Sequence, residues 1–159
     1  MISTALARSR AVALTLGAAL VALAGCAGDE PPVAAISVTG GDAINETSAG
    51  EATPVVVDLL ALERASAFRS ASFFELYDSP RETLGASLVR RERLNLTPGG
   101  TRERGWTLDG GASHIGAVAA FRDIDTATWR AVTPISDGAD RVRLTVRVEG
   151  DTLTMSKAR

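Results

Sequence analysis

Arg141-Val-Arg-Leu-Thr-Val-Arg-Val-Glu149 is the stretch that decides the fold class. Val142, Leu144, Val146 and Val148 share one side of an extended chain, and Arg141, Arg143, Thr145, Arg147 and Glu149 share the other. A period of two with this polarity belongs to a sheet that lays one face on an apolar core and shows the other to water. Gly150-Asp151 follows as a two-residue turn, and Leu153 and Met155 resume the apolar alternation, so the C-terminus reads as a hairpin.

Working back from that hairpin, Val55, Val57, Leu59 and Ala61 alternate with Val56, Asp58, Leu60 and Leu62. One face of this segment is wholly apolar and the other mostly so, as expected of a central strand covered on both sides. Weaker strand patterns run over 36–44, 89–96, 102–108, 113–121 and 128–135. Thr97-Pro98-Gly99-Gly100, Asp109-Gly110-Gly111 and Asp137-Gly138 separate them as turns. About eight short strands with frequent turns predict a mainly β, two-sheet sandwich.

One interruption is helical. Ser79-Pro80-Arg81-Glu82 places a capping hydroxyl, a proline at the first helical position and a glutamate three residues after the cap. A short helix is expected from Pro80 toward Leu88, with Leu84 and Leu88 on one face. Ser72 and Glu75 repeat the cap spacing, and Phe68, Phe73, Leu76 and Tyr77 supply apolar surface for an earlier turn or helix. These rings are expected to pack the insert onto the sheet, the sharper alternative being an exposed patch for a partner protein.

The N-terminus has a different character. Arg8 and Arg10 precede the uncharged run from Ala11 to Ala24, and Leu23-Ala24-Gly25-Cys26 closes it. The layout is that of an export signal, and the run is too short to span a bilayer, which takes about 20 apolar residues. The Leu-Ala-Gly-Cys sequence resembles the bacterial lipobox, in which the cysteine is acylated and becomes the new N-terminus. Residues 1–25 are therefore expected to be a lipoprotein signal peptide, 26–33 a lipidated tether and 34–159 the sandwich domain. Ala27, standing where aspartate would retain an enteric lipoprotein in the inner membrane, points to the outer membrane. Cys26 is the only cysteine, so no intrachain disulfide supports the fold.

Loss of 1–25 removes two of the 17 basic residues and none of the 19 acidic ones, leaving a formal charge near −4. Nothing in this balance marks a nucleic-acid binder. Catalytic, metal and cofactor sites are likewise not expected. His114 is the sole histidine and has no nucleophile motif around it. Asp123 and Asp125 read as turn residues without a following ligand series. Gly40-Gly41 and Gly110-Gly111 lead into no helix that would cradle phosphate. The arginines at 90, 91, 93, 102 and 104, interleaved with Glu92 and Glu103, read as a solvated strand face.

Several segments in order carry a resemblance to a known family. They are Pro54-Val-Val-Val, Leu62, Phe68, Ala71, Phe73-Phe74-Glu75-Leu76-Tyr77, Thr83-Leu84-Gly85, Leu96-Thr97-Pro98-Gly99, Ile115-Gly116, Ala119-Ala120-Phe121-Arg122-Asp123 and Trp129-Arg130. Together they resemble the TssJ family, the outer-membrane lipoproteins of the type VI secretion system, from about Val33 to Ile135. The chain departs from the family pattern at Leu60-Ala61, where relatives often carry a tyrosine-glutamine pair. It departs again at Asp58, where a basic residue is expected. The resemblance implies a transthyretin-like sandwich with an added helical element. It also implies a scaffold that holds the periplasmic C-terminal domain of the inner-membrane component TssM, with acyl chains on Cys26 in the outer membrane.

Asn45, Glu46, Thr47, Ser48, Ala49, Gly50, Glu51, Ala52 and Thr53 join the first two strands and are polar, small and without a core residue. They are expected to form a loop at one end of the sandwich, either plain solvent-facing chain or, as the resemblance implies, the TssM-binding element. The competing class is a lipid-anchored periplasmic module for a small ligand, an envelope polymer or an unrelated protein. An anchored enzyme is a third.

Overall fold

The computed structural model describes residues 33–108, 111–135 and 141–158. The expected signal peptide, Cys26, the tether up to residue 32, the start of the 109–111 turn and the 137–138 turn lie outside the described residues.

Two four-stranded sheets face each other. Sheet A has the order β4-β1-β7-β8 and sheet B the order β3-β2-β5-β6. In chain order the strands are β1 (Val33–Ile44), β2 (Val55–Leu62), β3 (Leu88–Leu96), β4 (Thr101–Thr107), β5 (His114–Ala120), β6 (Arg130–Pro134), β7 (Arg141–Gly150) and β8 (Thr152–Lys157). All neighbours run antiparallel except β1 and β7, which pair in parallel from Val33↔Arg141 onward. The first strand therefore sits inside sheet A, and the chain crosses to sheet B through residues 45–54.

The alternation of β7 is realised: Val142, Leu144, Val146 and Val148 are buried, and Arg141, Arg143, Arg147 and Glu149 are exposed. The Gly150-Asp151 turn forms with Gly150 at φ 54°, the left-handed backbone for which glycine pays no Cβ penalty. β1 starts earlier than its pattern, at Val33, because Val33 and Ala35 are locked between Thr107 and Gly105 on one side and Arg141 and Arg143 on the other. Val33 is thus a strand residue. Ala34, Ile36 and Val38 from β1 meet Val55, Val57, Leu59 and Ala61 from β2 in the inter-sheet core, with Trp106 and Ile115 fully enclosed.

A second, smaller apolar layer lies on the outer face of sheet B. Leu60, Leu62 and Val118 face a helical insert and pack against Phe68, Leu76 and Leu84. The insert comprises α1 (Ser66–Ser70), α2 (Phe73–Asp78) and α3 (Pro80–Leu84), then a 3-10 turn over Gly85–Ser87. Gly116 makes the close approach possible, since a Cβ there would stand 2.9 Å from the Phe68 ring.

Two expectations for the insert need correction. The helix begun at Pro80 ends at Leu84 and does not reach Leu88, because Gly85 turns left-handed at φ 53° and Leu88 already belongs to β3. Ser79 makes no side-chain cap. It also terminates α2, and its φ −128°, ψ 49° is not the extended geometry that aims a hydroxyl at the next turn's amides. The capping box forms instead at Ser72 and Glu75, where each side chain bonds the other residue's backbone N–H.

Candidate functional site

Register places four connections at one end of the sandwich. Val55 lies opposite Leu96, Val56 opposite Ala120, Ile44 opposite Gly150 and Thr39 opposite Thr101. Loop 45–54, the 97–100 turn, the β5–β6 loop and the Gly150-Asp151 turn therefore form a single tip. Val33, to which the N-terminal segment leads, pairs with Thr107 and Arg141 at the other end. The 12 residues of β1 separate the two ends by roughly 35–40 Å at about 3.3 Å per residue.

The candidate loop is built on Asn45. Contrary to the reading of this segment as free of core residues, Asn45 is 5% exposed. Its φ of 48° is the only non-glycine positive value among the described residues, a conformation that asparagine tolerates better than most. The side-chain amide donates to Thr53 Oγ1 and to the Pro54 carbonyl, both at 3.0 Å, and Asn45 Oδ1 accepts from Arg122 N at 2.8 Å. Thr53 Oγ1 donates back to the Asn45 carbonyl at 2.6 Å, and Arg122 Nε reaches Thr53 Oγ1 at 3.3 Å. The Asn45 backbone N–H donates to the Gly150 carbonyl. One buried residue thus closes the base of the loop and joins it to two neighbouring connections, by its side chain at Arg122 and by its backbone at Gly150.

Above this clasp, Thr47 organises the crown. Its hydroxyl accepts from Ala49 N and Glu51 N, its amide donates to the Glu51 carbonyl, and its carbonyl accepts from Gly50 N. Glu46, Ser48, Ala49, Gly50, Glu51 and Ala52 are left exposed on a shaped turn. Asp42, Asp123, Asp125 and Asp151 are exposed at the same end, with Arg122 among them. The tip is ordered and predominantly acidic.

The arginine-rich face expected to be merely solvated does more. Asp58, 1% exposed on the outer face of β2, accepts from Arg91 Nη2 at 2.5 Å and from Arg93 Nε and Nη2 at 2.9 Å. Both guanidinium groups also donate to the Tyr77 carbonyl at the end of α2, and Arg93 lies 4.3 Å over the Tyr77 ring. Arg130 does the same for α1, donating to the carbonyls of Phe68 and Ala71. At the open side of the sandwich, Glu92 accepts from Trp106 Nε1 at 2.9 Å and from Arg104. Burial pushes the Glu92 pKa up, but the Trp106 and Arg104 hydrogen bonds and the charges of Arg104 and Arg90 outweigh it. The net result lies below the usual value. An aspartate inside an apolar strand, beside a strand with alternating arginines, is the sequence signal for the Asp58 clamp, since a buried carboxylate needs a cation.

His114 Nδ1 lies 2.8 Å from Ser113 Oγ, and that hydroxyl also bonds the Glu63 carbonyl. With the Ser113 proton spent on a carbonyl, the imidazole nitrogen faces an acceptor, the reverse of a base activating a nucleophile. Burial, then the charge of Arg69, lowers the His114 pKa. Among the described residues no three His, Cys, Asp or Glu side chains gather as metal ligands, and no helix is long and apolar enough to cross a membrane.

Comparison with known proteins gives the chain a family. Residues 32–151 match the family model T6SS-SciN, described as type VI secretion lipoprotein, VasD, EvfM, TssJ. The chain belongs to the TssJ family. Its mainly β architecture of two four-stranded sheets with few short helices is that of solved TssJ structures. TssJ1 of Pseudomonas aeruginosa is 31% identical with a TM-score of 0.77, the match covering 81% of this chain and 98% of that one. A chain in a solved structure described as the T6SS protein TssM C-terminal domain from EAEC is 28% identical, with a TM-score of 0.65 and coverage of 77% and 98%. A chain in a structure described as a type VI membrane complex is 27% identical, with a TM-score of 0.70 and coverage of 79% and 98%. No curated protein matches the sequence. As a TssJ-family chain this protein is a type VI secretion lipoprotein, a family with a structural part in that system.

Proposed function

We propose that this chain is acylated at Cys26, sits on the periplasmic face of the outer membrane, and holds the periplasmic C-terminal domain of TssM with the 45–53 loop. It catalyses no reaction in this role. The observation that carries the reading is the separation of ends. The segment from Cys26 enters the sandwich at Val33, whereas loop 45–53 is shaped and presented at the opposite tip. Attachment at one end leaves the other free for a protein standing away from the membrane. Family membership supports the secretion role, and a relative's structure described by the TssM C-terminal domain supports that partner. The exposed residues Glu46, Ser48, Ala49, Gly50, Glu51 and Ala52 are the contact surface, while Asn45, Thr47 and Thr53 set the loop's shape. The carboxylates around the loop favour a basic face on TssM, so rising salt weakens capture.

Fractionating cells that carry a soluble TssM periplasmic domain tests both halves of the reading. The unaltered chain brings that domain into the outer-membrane fraction. Cys26→Ser leaves both proteins soluble, because burial of acyl methylenes at about 0.8 kcal/mol each is the attachment. Shortening 46–52 leaves the lipoprotein in the membrane and the TssM domain in solution. Sedimentation of the TssM domain with the shortened chain contradicts the loop assignment, and retention of Cys26→Ser in the outer membrane contradicts the anchor.

A further inference from the structure

The helical insert carries a surface that neither the fold nor the loop tip uses. Phe74 is 63% exposed, the only large apolar side chain so exposed among the described residues. Its ring is not loose chain. Phe74 stands edge-on to Phe73 at 5.2 Å, and Phe73 in turn stacks on Tyr77 at 5.2 Å and meets Trp129 edge-on at 5.5 Å. The Ser72–Glu75 capping box fixes the turn that presents it. An aromatic ring held out on a rigid element loses little freedom when covered, which is the property of binding anchors.

Beside the ring lies an open groove of about 510 Å³, lined by Phe74, Glu75, Asp78, Ser79, Glu82 and Thr83. Of the two hydroxyls in its wall, that of Thr83 is engaged, its proton shared between the carbonyls of Glu75 and Ser79. Glu75 is engaged with Ser72. Glu82 enters no ion pair among the described residues and no basic side chain lines this groove, while on its far side Asp78 acts on Arg93 and both carboxylates border a neighbouring groove with Arg81 and Arg91. What the groove offers is therefore one apolar plate and negative charge beside it. Acidic walls repel the phosphates of a bilayer, so charge complementarity selects a cationic segment with apolar content over a lipid surface.

We propose that the α2–α3 groove is a second docking surface, which takes a protein segment bearing an aliphatic side chain next to an arginine or lysine. The aliphatic group covers Phe74 and the cation lies between Asp78 and Glu82. The groove belongs to the layer outside sheet B, so its occupant is engaged independently of loop 45–53. One lipoprotein would then bind at its tip and on its flank at once.

The test is Phe74→p-benzoylphenylalanine in the full-length lipidated protein, photolysed in membranes of secreting cells, with the crosslinked peptide sequenced. The expected product is a peptide of another protein in which arginine or lysine adjoins an aliphatic residue. Its yield falls at least about tenfold with Glu82→Lys and stays nearly unchanged with Glu82→Asp. With the peptide so identified, Phe74→Ala weakens its binding to the full-length protein by about 30-fold, the scale of a buried aromatic anchor. The same photoprobe at the exposed Thr154 of β8 gives no such product. A crosslink to lipid, to a second copy of this chain or to a segment without a basic residue overturns the proposal, as does no crosslink. None of these results bears on TssM capture by the loop, which is read separately by fractionation.

Discussion

The two apolar layers of the molecule are assembled on different principles. Between the sheets, strands interdigitate residues that the period of two already sorts, and burial is nearly complete from Ala34 to Leu153. On the outer face of sheet B, six buried residues form a thin layer under short helices. Helices of five or six residues have little stability of their own and depend on what docks them. Arginines supply much of that docking. Arg91 and Arg93, organised by Asp58, hold the end of α2, and Arg130 holds the end of α1. Cation donors at the last carbonyls of a helix satisfy groups that have no partner within it. A deep apolar interior thus makes the scaffold, and polar clamps fasten the helical layer to it.

The largest effect is expected in the first layer. Trp106→Ala removes a fully buried ring and one donor to Glu92, and should cost about 3–5 kcal/mol in a denaturant titration. Loss confined to the helices would contradict the division. Asp58→Ala should cost less, roughly 2 kcal/mol, because the orphaned Arg91 and Arg93 side chains are partly exposed and relax into water. Hydrogen exchange should show α2 and α3 opening while β1, β2 and β7 stay protected; uniform deprotection would mean the clamp belongs to the scaffold. Ser72→Ala should cost about 1 kcal/mol and Ser79→Ala almost nothing, since only Ser72 caps a helix. The smallest effect is with pH. The folded pKa of Glu92 lies below its unfolded value, so its contribution is complete above the unfolded carboxylate range and is lost as pH falls through the folded pKa. Glu92→Gln should flatten that acid limb in thermal melts.

The first layer was legible in the sequence because its information is local. Arg141 to Glu149 and Val55 to Leu62 announce their faces by alternation, and Gly150-Asp151 announces its turn. The start of β1 is not legible in the sequence because Val33 and Ala35 are held by hydrogen-bonded neighbours on both sides, not by a pattern of their own. The second layer was only partly legible. The Ser72 and Ser79 caps have the same spelling, and which one forms depends on whether the serine must also end a preceding helix. The position of loop 45–53 was readable, but the role of Asn45 was not, since its partners Arg122 and Gly150 are far along the chain. The Asp58 clamp is spelled out in residues far apart in the sequence, an odd acid in β2 and a basic run in β3.

Whether the tip is the gripping end is measured most directly by the affinity of the full-length lipoprotein for the TssM periplasmic C-terminal domain. The dissociation constant and melting temperature should be compared between the unaltered chain, Cys26→Ser and a chain shortened within 46–52. Affinity should be unchanged for Cys26→Ser, and at least about tenfold weaker with a nearly unchanged melting temperature for the shortened loop. Equal binding by a stably folded shortened chain would contradict the tip as the gripping end.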